Sequence, residues 1–179
     1  MSSSIPIWQT GGFLFVSLLG TFLHFLFDLF GGNAGAALFS AVNESIWEHM
    51  KLIYIPMLIF AWIEYFLWGK AVPSFWCIKL TGLLTALLLI PVVYYTYTGI
   101  LGTDADWFNI AIFFLAAGVA LYLETRLFQT ERTCRLPDRV ALGGILLIGL
   151  LFLIFTFQPP RIPLFRDPIT QSYGYRRTK

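Results

Sequence analysis

Two histidines and several acids lie where two apolar segments of the chain follow one another. His24 and Asp28 are four residues apart and therefore share one face of a helix. A short connection leads to Glu44, Glu48 and His49. Imidazole and carboxylate groups are the ligands that zinc and other first-row divalent metals take in proteins. We therefore predict a divalent metal, such as zinc, as the cofactor, with His24, Asp28 and His49 as its ligands.

The other polar residues of this region suit catalysis beside a metal. Glu44, Glu48 and Lys51 have the spacing i, i+4, i+7, which places them in one stripe along a helix. A bound divalent metal makes its water more acidic, and a neighbouring carboxylate can act as the general base. The pattern predicts Glu44, Glu48 and Lys51 as catalytic residues of a metal-dependent membrane enzyme.

The same residues also have a purely structural interpretation. Asn43 is a good cap for the second helix, and Glu44 would lie in its first turn, where the helix dipole favours a negative charge. Glu48 and Lys51 would neutralise each other, and His24 would be held by the acid one turn away. Two further functions stay open, a transporter or binding protein for small solutes or ions, and an accessory subunit of a membrane complex.

Five apolar segments must position these residues. Hydrophobic residues make up 58% of the 179-residue chain and charged residues only 12%, and the mean hydropathy is +0.73. A soluble domain carries about 25% charged residues. Crossing the hydrocarbon core takes about 20 residues of helix, because lipid-exposed backbone must be hydrogen-bonded internally. The sequence predicts an all-α integral membrane bundle of about five transmembrane helices, near residues 8–30, 46–68, 75–98, 107–128 and 140–158, followed by an ordered interfacial tail, 159–179.

Polar residues in this topology gather on one face of the membrane. We name the face of the N-terminus side A and the opposite face side B. The candidate site lies on side B, whereas the middles of the third to fifth segments are nearly all apolar. One-sided polarity favours a pocket at an interface over a pore through the bundle. The molecule bound in this pocket would be a lipid or a small polar molecule. The chain could also form an oligomer.

Charge indicates the orientation and excludes one class of partner. The net charge of +2 is too small to favour nucleic acid. Side A holds most of the basic residues in the loops between spans, namely Lys70, Lys79, Arg126, Arg132, Arg135 and Arg139. For a multi-pass protein of the cell membrane, the positive-inside rule therefore predicts a cytoplasmic N-terminus and an extracytoplasmic site. The tail opposes this orientation, because it brings to side B Arg161, Arg166, Arg176, Arg177 and Lys179.

Other residues of the apolar segments call for simpler interpretations. Cys77 and Cys134 fit neither a disulfide framework nor a metal-ligand spacing, so we predict two separate thiols. Glu64 and Glu124 lie near helix ends on side A, and Arg126 is the predicted partner for their charge.

One motif carries a family resemblance. The run Val42-Asn43-Glu44-Ser45-Ile46-Trp47-Glu48-His49-Met50-Lys51 is followed in the tail by Leu164-Phe165-Arg166-Asp167-Pro168 and Tyr173-Gly174. Together they resemble a family of small bacterial multi-pass membrane proteins whose function is unknown. The resemblance implies a bacterial membrane protein, and it supplies no substrate, cofactor or catalytic residue.

Overall fold

Helices account for the whole architecture. The computed structural model describes residues 4–130 and 134–175. Over these residues it has α1 (Ile5–Leu29), α2 (Ala34–Ala37), α3 (Ile46–Leu67), α4 (Phe75–Leu101), α5 (Asp106–Gln129) and α6 (Asp138–Phe157), with 3-10 turns at Gly69–Ala71 and Pro163–Phe165. All but α2 are long and apolar enough to cross a membrane. The prediction of an all-α bundle with five such helices is confirmed.

The outer surface of the bundle is apolar. On α1 the side chains of Leu14, Leu18, Phe22 and Phe25 are all more than half exposed, and they follow one another at helical spacing. Soluble monomers rarely expose a continuous apolar patch of this kind. This surface suits contact with lipid tails.

Small residues let the helices approach closely at the centre of the bundle. Helix α4 packs mainly against α5, and α1 packs against α3 and α5. Small side chains at such contacts allow close backbone approach, which is the usual way membrane helices pack. On α4 and α5, four alanines are completely buried, namely Ala86, Ala116, Ala117 and Ala120.

The start of α3 differs from the sequence-based prediction. Ser45 is the N-cap, and its Oγ accepts a hydrogen bond from the Glu48 backbone N–H at 3.4 Å. Asn43 instead accepts from the Ser45 N–H at 2.9 Å, so the prediction of Asn43 as the cap is wrong. Glu44 therefore precedes the helix, and it does not belong to a helical stripe with Glu48 and Lys51.

A disulfide joins Cys77 at the start of α4 to Cys134 in the α5–α6 connection. The prediction of two separate thiols is wrong, because the bundle brings together two residues that lie 57 positions apart in sequence. The Cys77 backbone N–H also donates to Asp138 Oδ1 at 3.2 Å. Together the two contacts hold the α5–α6 connection and the beginning of α6 against the beginning of α4 on side A.

The described part of the tail folds back over side B. The Phe165 ring lies 4.8 Å from that of Trp47 between centroids, on α3. The Tyr175 backbone N–H donates to the Thr156 carbonyl at 2.7 Å, and its hydroxyl donates to the Gly32 carbonyl at 3.2 Å. The tail thus closes the end of the bundle where the α1–α3 connection lies. Arg132, Arg176, Arg177 and Lys179, used above to predict orientation, lie outside the described residues.

Candidate metal centre

The structure brings His24, Glu44 and His49 together at the side B end of the bundle. His24 comes from the last two turns of α1, and His49 from the first turn of α3. Glu44 lies in the connection just before the α3 N-cap, and its carboxylate faces both histidines. One ligand atom from each residue lies within 4.8 Å of the other two.

The distances within this group are close to those that a metal needs. His49 Nε2 lies 3.4 Å from Glu44 Oε2, and His24 Nε2 lies 3.9 Å from Glu44 Oε1. The two imidazole rings are 5.5 Å apart between centroids. Ligand atoms around tetrahedral zinc are separated by about 3.4 Å, as follows from bonds of about 2.0–2.2 Å. Small side-chain rotations are therefore sufficient to close the group around an ion.

A backbone contact orients His49. Its Nδ1 lies 3.0 Å from the Ser45 carbonyl oxygen, which can only accept a hydrogen bond. In the neutral imidazole this contact places the proton on Nδ1, so the lone pair of Nε2, which lies 3.4 Å from Glu44 Oε2, is the one that a metal could take. Metal-binding histidines are commonly oriented by such a second hydrogen bond. His24 Nδ1 is buried and has no hydrogen-bond partner among the described residues.

The three side chains are open to the medium on side B. Their exposed fractions are 32% for His24, 42% for Glu44 and 28% for His49. Two histidines and one glutamate form a common ligand set of catalytic zinc, in which water takes the fourth position. The exposure leaves room for that water and for a substrate.

Asp28 lies outside this group. Its side chain is exposed near the end of α1, and it is not among the residues that could hold one ion together. Glu44 occupies the place that the sequence assigned to Asp28 as the carboxylate of the site. The sequence pattern predicted Glu44 inside the second helix. Because α3 begins only after Glu44, the Glu44 side chain can point back towards α1, where it faces His24.

Glu48 and Lys51 form a separate, buried network. Lys51 Nζ lies 2.6 Å from Glu48 Oε2 and donates at 2.9 Å both to the Ala37 carbonyl and to Thr156 Oγ1. Thr156 in turn donates to Glu48 Oε1 at 3.0 Å. These contacts use all three donors of the ammonium group. The network links α3 to α2 and α6.

A second set of buried charges lies near side A, and sequence reasoning missed it. Lys79 forms ion pairs with Glu64 and with Glu124, the latter at 2.5 Å, and Gln9 Nε2 donates to Glu64 Oε1 at 2.9 Å. Lys79 is only 4% exposed, so the prediction that it lies in a side A loop is wrong. The prediction of Arg126 as the partner of the two acids is also wrong, because the cation that pairs with Glu64 and Glu124 is Lys79. The available signal was three charges within otherwise apolar segments.

A third polar group closes the α4–α5 connection. Asp104 accepts hydrogen bonds from Tyr94 at 3.0 Å, Tyr97 at 2.8 Å and Asn109 at 2.7 Å. Partial burial raises the pKa of Asp104, but these hydrogen bonds outweigh it and hold the pKa below its ordinary value. The group contains one acid, and we assign it a structural role.

Comparison with known proteins identifies the family. A family model described as a family of unknown function (DUF6512) matches residues 1–175. The chain belongs to this family. No curated protein and no solved structure matches it. The DUF6512 model spans all six helices described above, and the description of the family assigns no activity.

Proposed function

We propose that this DUF6512 chain is a multi-pass membrane protein that binds one divalent metal, such as zinc, and acts as a metal-dependent enzyme at the side B interface. The observation that carries the proposal is the convergence of His24 on α1 with Glu44 and His49 at the start of α3. Hydrogen bonding of His49 Nδ1 to a backbone carbonyl supports it, because that contact leaves Nε2 available as a ligand.

The ligand set favours hydrolytic chemistry. With three protein ligands, a metal keeps one position for water, lowers the energy needed to deprotonate it and polarises a substrate oxygen. A substrate at this site would be a lipid headgroup or a small polar molecule, because the group is half-exposed at the end of the bundle. Glu44 serves as a ligand in this proposal, and Glu48 and Lys51 act as positioning residues that fix the start of α3.

Zinc titration of the purified apo-protein tests this proposal. The wild type should bind one equivalent, and His24→Ala, His49→Ala and Glu44→Gln should each weaken binding by at least about 100-fold, since even second-shell changes cost about 10–100-fold. Asp28→Asn is the matched control, because it removes a neighbouring carboxylate that lies outside the group, and its affinity should equal that of the wild type. Loss of binding in Asp28→Asn with normal binding in Glu44→Gln would contradict the ligand set.

The disulfide favours an orientation opposite to the one that the charges predict. Because Lys51 and Lys79 are buried in ion pairs, each face is left with five basic residues by position in the sequence: Lys70, Arg126, Arg132, Arg135 and Arg139 on side A, and Arg161, Arg166, Arg176, Arg177 and Lys179 on side B. Because the positive-inside rule counts basic residues within about 15–20 residues of a span, and Lys179 lies beyond that distance from the end of α6, side A keeps only a small excess. Disulfides persist in oxidising compartments outside the cytoplasm. We infer that side A is extracytoplasmic and that the metal group faces the cytoplasm.

Thiol labelling of intact cells tests this orientation. Ala71 and Thr103 are exposed in connections on side A and side B respectively, and neither is charged. A membrane-impermeant maleimide should label Ala71→Cys in intact cells and Thr103→Cys only after permeabilisation. The wild type should stay unlabelled without a reductant, because both of its cysteines are joined. The reverse labelling pattern would restore the orientation predicted from the loop charges.

A further inference from the structure

The buried charges near side A form a compact cluster between four helices, consisting of Gln9 on α1, Glu64 on α3, Lys79 on α4 and Glu124 on α5. Each of these side chains is at least 96% buried. The Lys79 ammonium also lies 5.4–5.8 Å from the ring centroids of Phe60, Phe75 and Phe128. Among the described residues, the ionisable groups that pair with one another in this cluster are Glu64, Lys79 and Glu124, and α6 brings the apolar Ile145 to the adjoining cavity.

The cluster has one acid more than it has bases. The Glu48–Lys51 pair provides the contrast within the same molecule, because it has one acid and one base. Two carboxylates against one ammonium leave one uncompensated negative charge in an apolar interior. Burying an unpaired charge costs several kcal/mol, and such a group takes up a proton instead when it can.

Unpartnered atoms show where a proton could be held. Glu64 is the better stabilised anion, because it contacts both Lys79 and the Gln9 amide. Glu124 has Lys79 as its partner through Oε2, whereas its Oε1 is buried without a hydrogen-bond partner. Gln9 Oε1 is also buried and unpartnered. A carboxyl O–H would supply the donor that this oxygen-rich group lacks.

A small cavity adjoins the cluster. It measures about 10 Å³ and is lined by Lys79 and Glu124 together with apolar residues of α3, α4 and α6. This is about the room that one water molecule needs. On the other side of Glu124 lies Gly82, where any side chain would meet the carboxylate. The protein thus keeps space for the Glu124 carboxyl group and leaves room for a water beside it.

We propose that the Glu64–Lys79–Glu124 cluster is a proton-binding site, in which Glu124 takes up one proton and the cluster becomes neutral. The proton forms an O–H bond on a Glu124 carboxylate oxygen, and no other bond changes. Release of the proton restores the carboxylate, with water in the adjoining cavity as the acceptor. A metal cation is disfavoured, because the Lys79 ammonium already lies between the two carboxylates and repels it.

Infrared difference spectroscopy of the purified full-length protein tests this site. A protonated buried carboxyl group gives its own carbonyl-stretch band, which shifts on transfer to heavy water. The folded wild type should show this band at neutral pH and lose it, with its helices intact, as the pH is raised. Glu124→Gln should abolish the band. Glu64→Gln should abolish it too, since it leaves one acid paired with one base, and this second variant keeps the test available if the first does not fold.

Asp28→Asn is the control, because it removes an exposed carboxyl group far from the cluster in sequence, and the band should remain. Absence of the band in the folded wild type, or its persistence in both glutamine variants, would overturn the proposal. A rise in thermal stability with sodium but not with choline, in a wild type that lacks the band, would also overturn it and assign the compensating charge to a metal ion. Zinc binding at His24, Glu44 and His49 should be unchanged in Glu124→Gln.

Discussion

Lys79→Met is expected to lower the free energy of unfolding by about 3–5 kcal/mol, the cost of removing one partner from a buried ion pair. The substitution leaves Glu64 and Glu124 buried together without their shared cation. Methionine keeps most of the side-chain volume, so the loss measures charge rather than packing. Thermal or denaturant unfolding in detergent, followed by helical circular dichroism, gives the change.

Lys70→Met is the matched control for this variant. Lys70 is exposed on side A and lies over the Phe66 ring at 4.9 Å, and it forms no ion pair with an acid of residues 4–130 or 134–175. Surface substitutions of this kind usually change stability by less than about 0.5 kcal/mol. Equal stabilities of Lys79→Met and Lys70→Met would mean that the buried cluster does not hold the helices together.

Lys51→Met is expected to cost a similar amount, about 3–5 kcal/mol, at the opposite end of the bundle. Glu48 would keep its contacts with Thr156 and with the Val42 N–H at 3.3 Å, but it would lose the one cation that pairs with it among the described residues. The Ala37 carbonyl would also lose its contact with the ammonium group. The same unfolding measurement applies.

A double variant separates charge burial from other effects. Glu48→Met combined with Lys51→Met removes both charges, and replacing a whole buried pair by apolar residues is often nearly neutral. The double variant should therefore be more stable than Lys51→Met alone. If it is less stable, the network contributes more than the neutralisation of one charge. Zinc affinity of the folded double variant should fall by no more than about 100-fold, as expected for residues that position the ligands without touching the metal.

The helical architecture could be predicted because it depends on local properties of the chain. Long apolar segments fix the number of helices, since each must satisfy its backbone hydrogen bonds internally. Helix ends depend on capping contacts instead, and these were harder to predict. The choice of Ser45 over Asn43 as the cap moves the start of α3 by two residues and leaves Glu44 outside the helix, where it contacts both histidines.

Contacts between distant residues account for what the sequence did not reveal. The Lys79 ion pairs join residues on different helices, and the disulfide joins Cys77 on α4 to Cys134 in the α5–α6 connection. By hydropathy alone, Lys79 lies at the edge of an apolar segment, and a loop is the simpler prediction for a charged residue at such a position. Its burial becomes evident only when α3 and α5 are packed against α4. The two histidines were found because they are the only ones in the chain and both lie near the same membrane face.

X-ray absorption at the zinc edge tests the proposed metal centre most directly, because it reports the ligands around the bound ion. For the zinc-loaded wild type we expect two imidazole ligands and oxygen ligands at about 2.0–2.2 Å, with no sulfur ligand at about 2.3 Å. His49→Ala, if it retains zinc at high concentration, should show one imidazole fewer. A zinc site without imidazole, or one with sulfur ligands, would contradict the assignment of His24, Glu44 and His49.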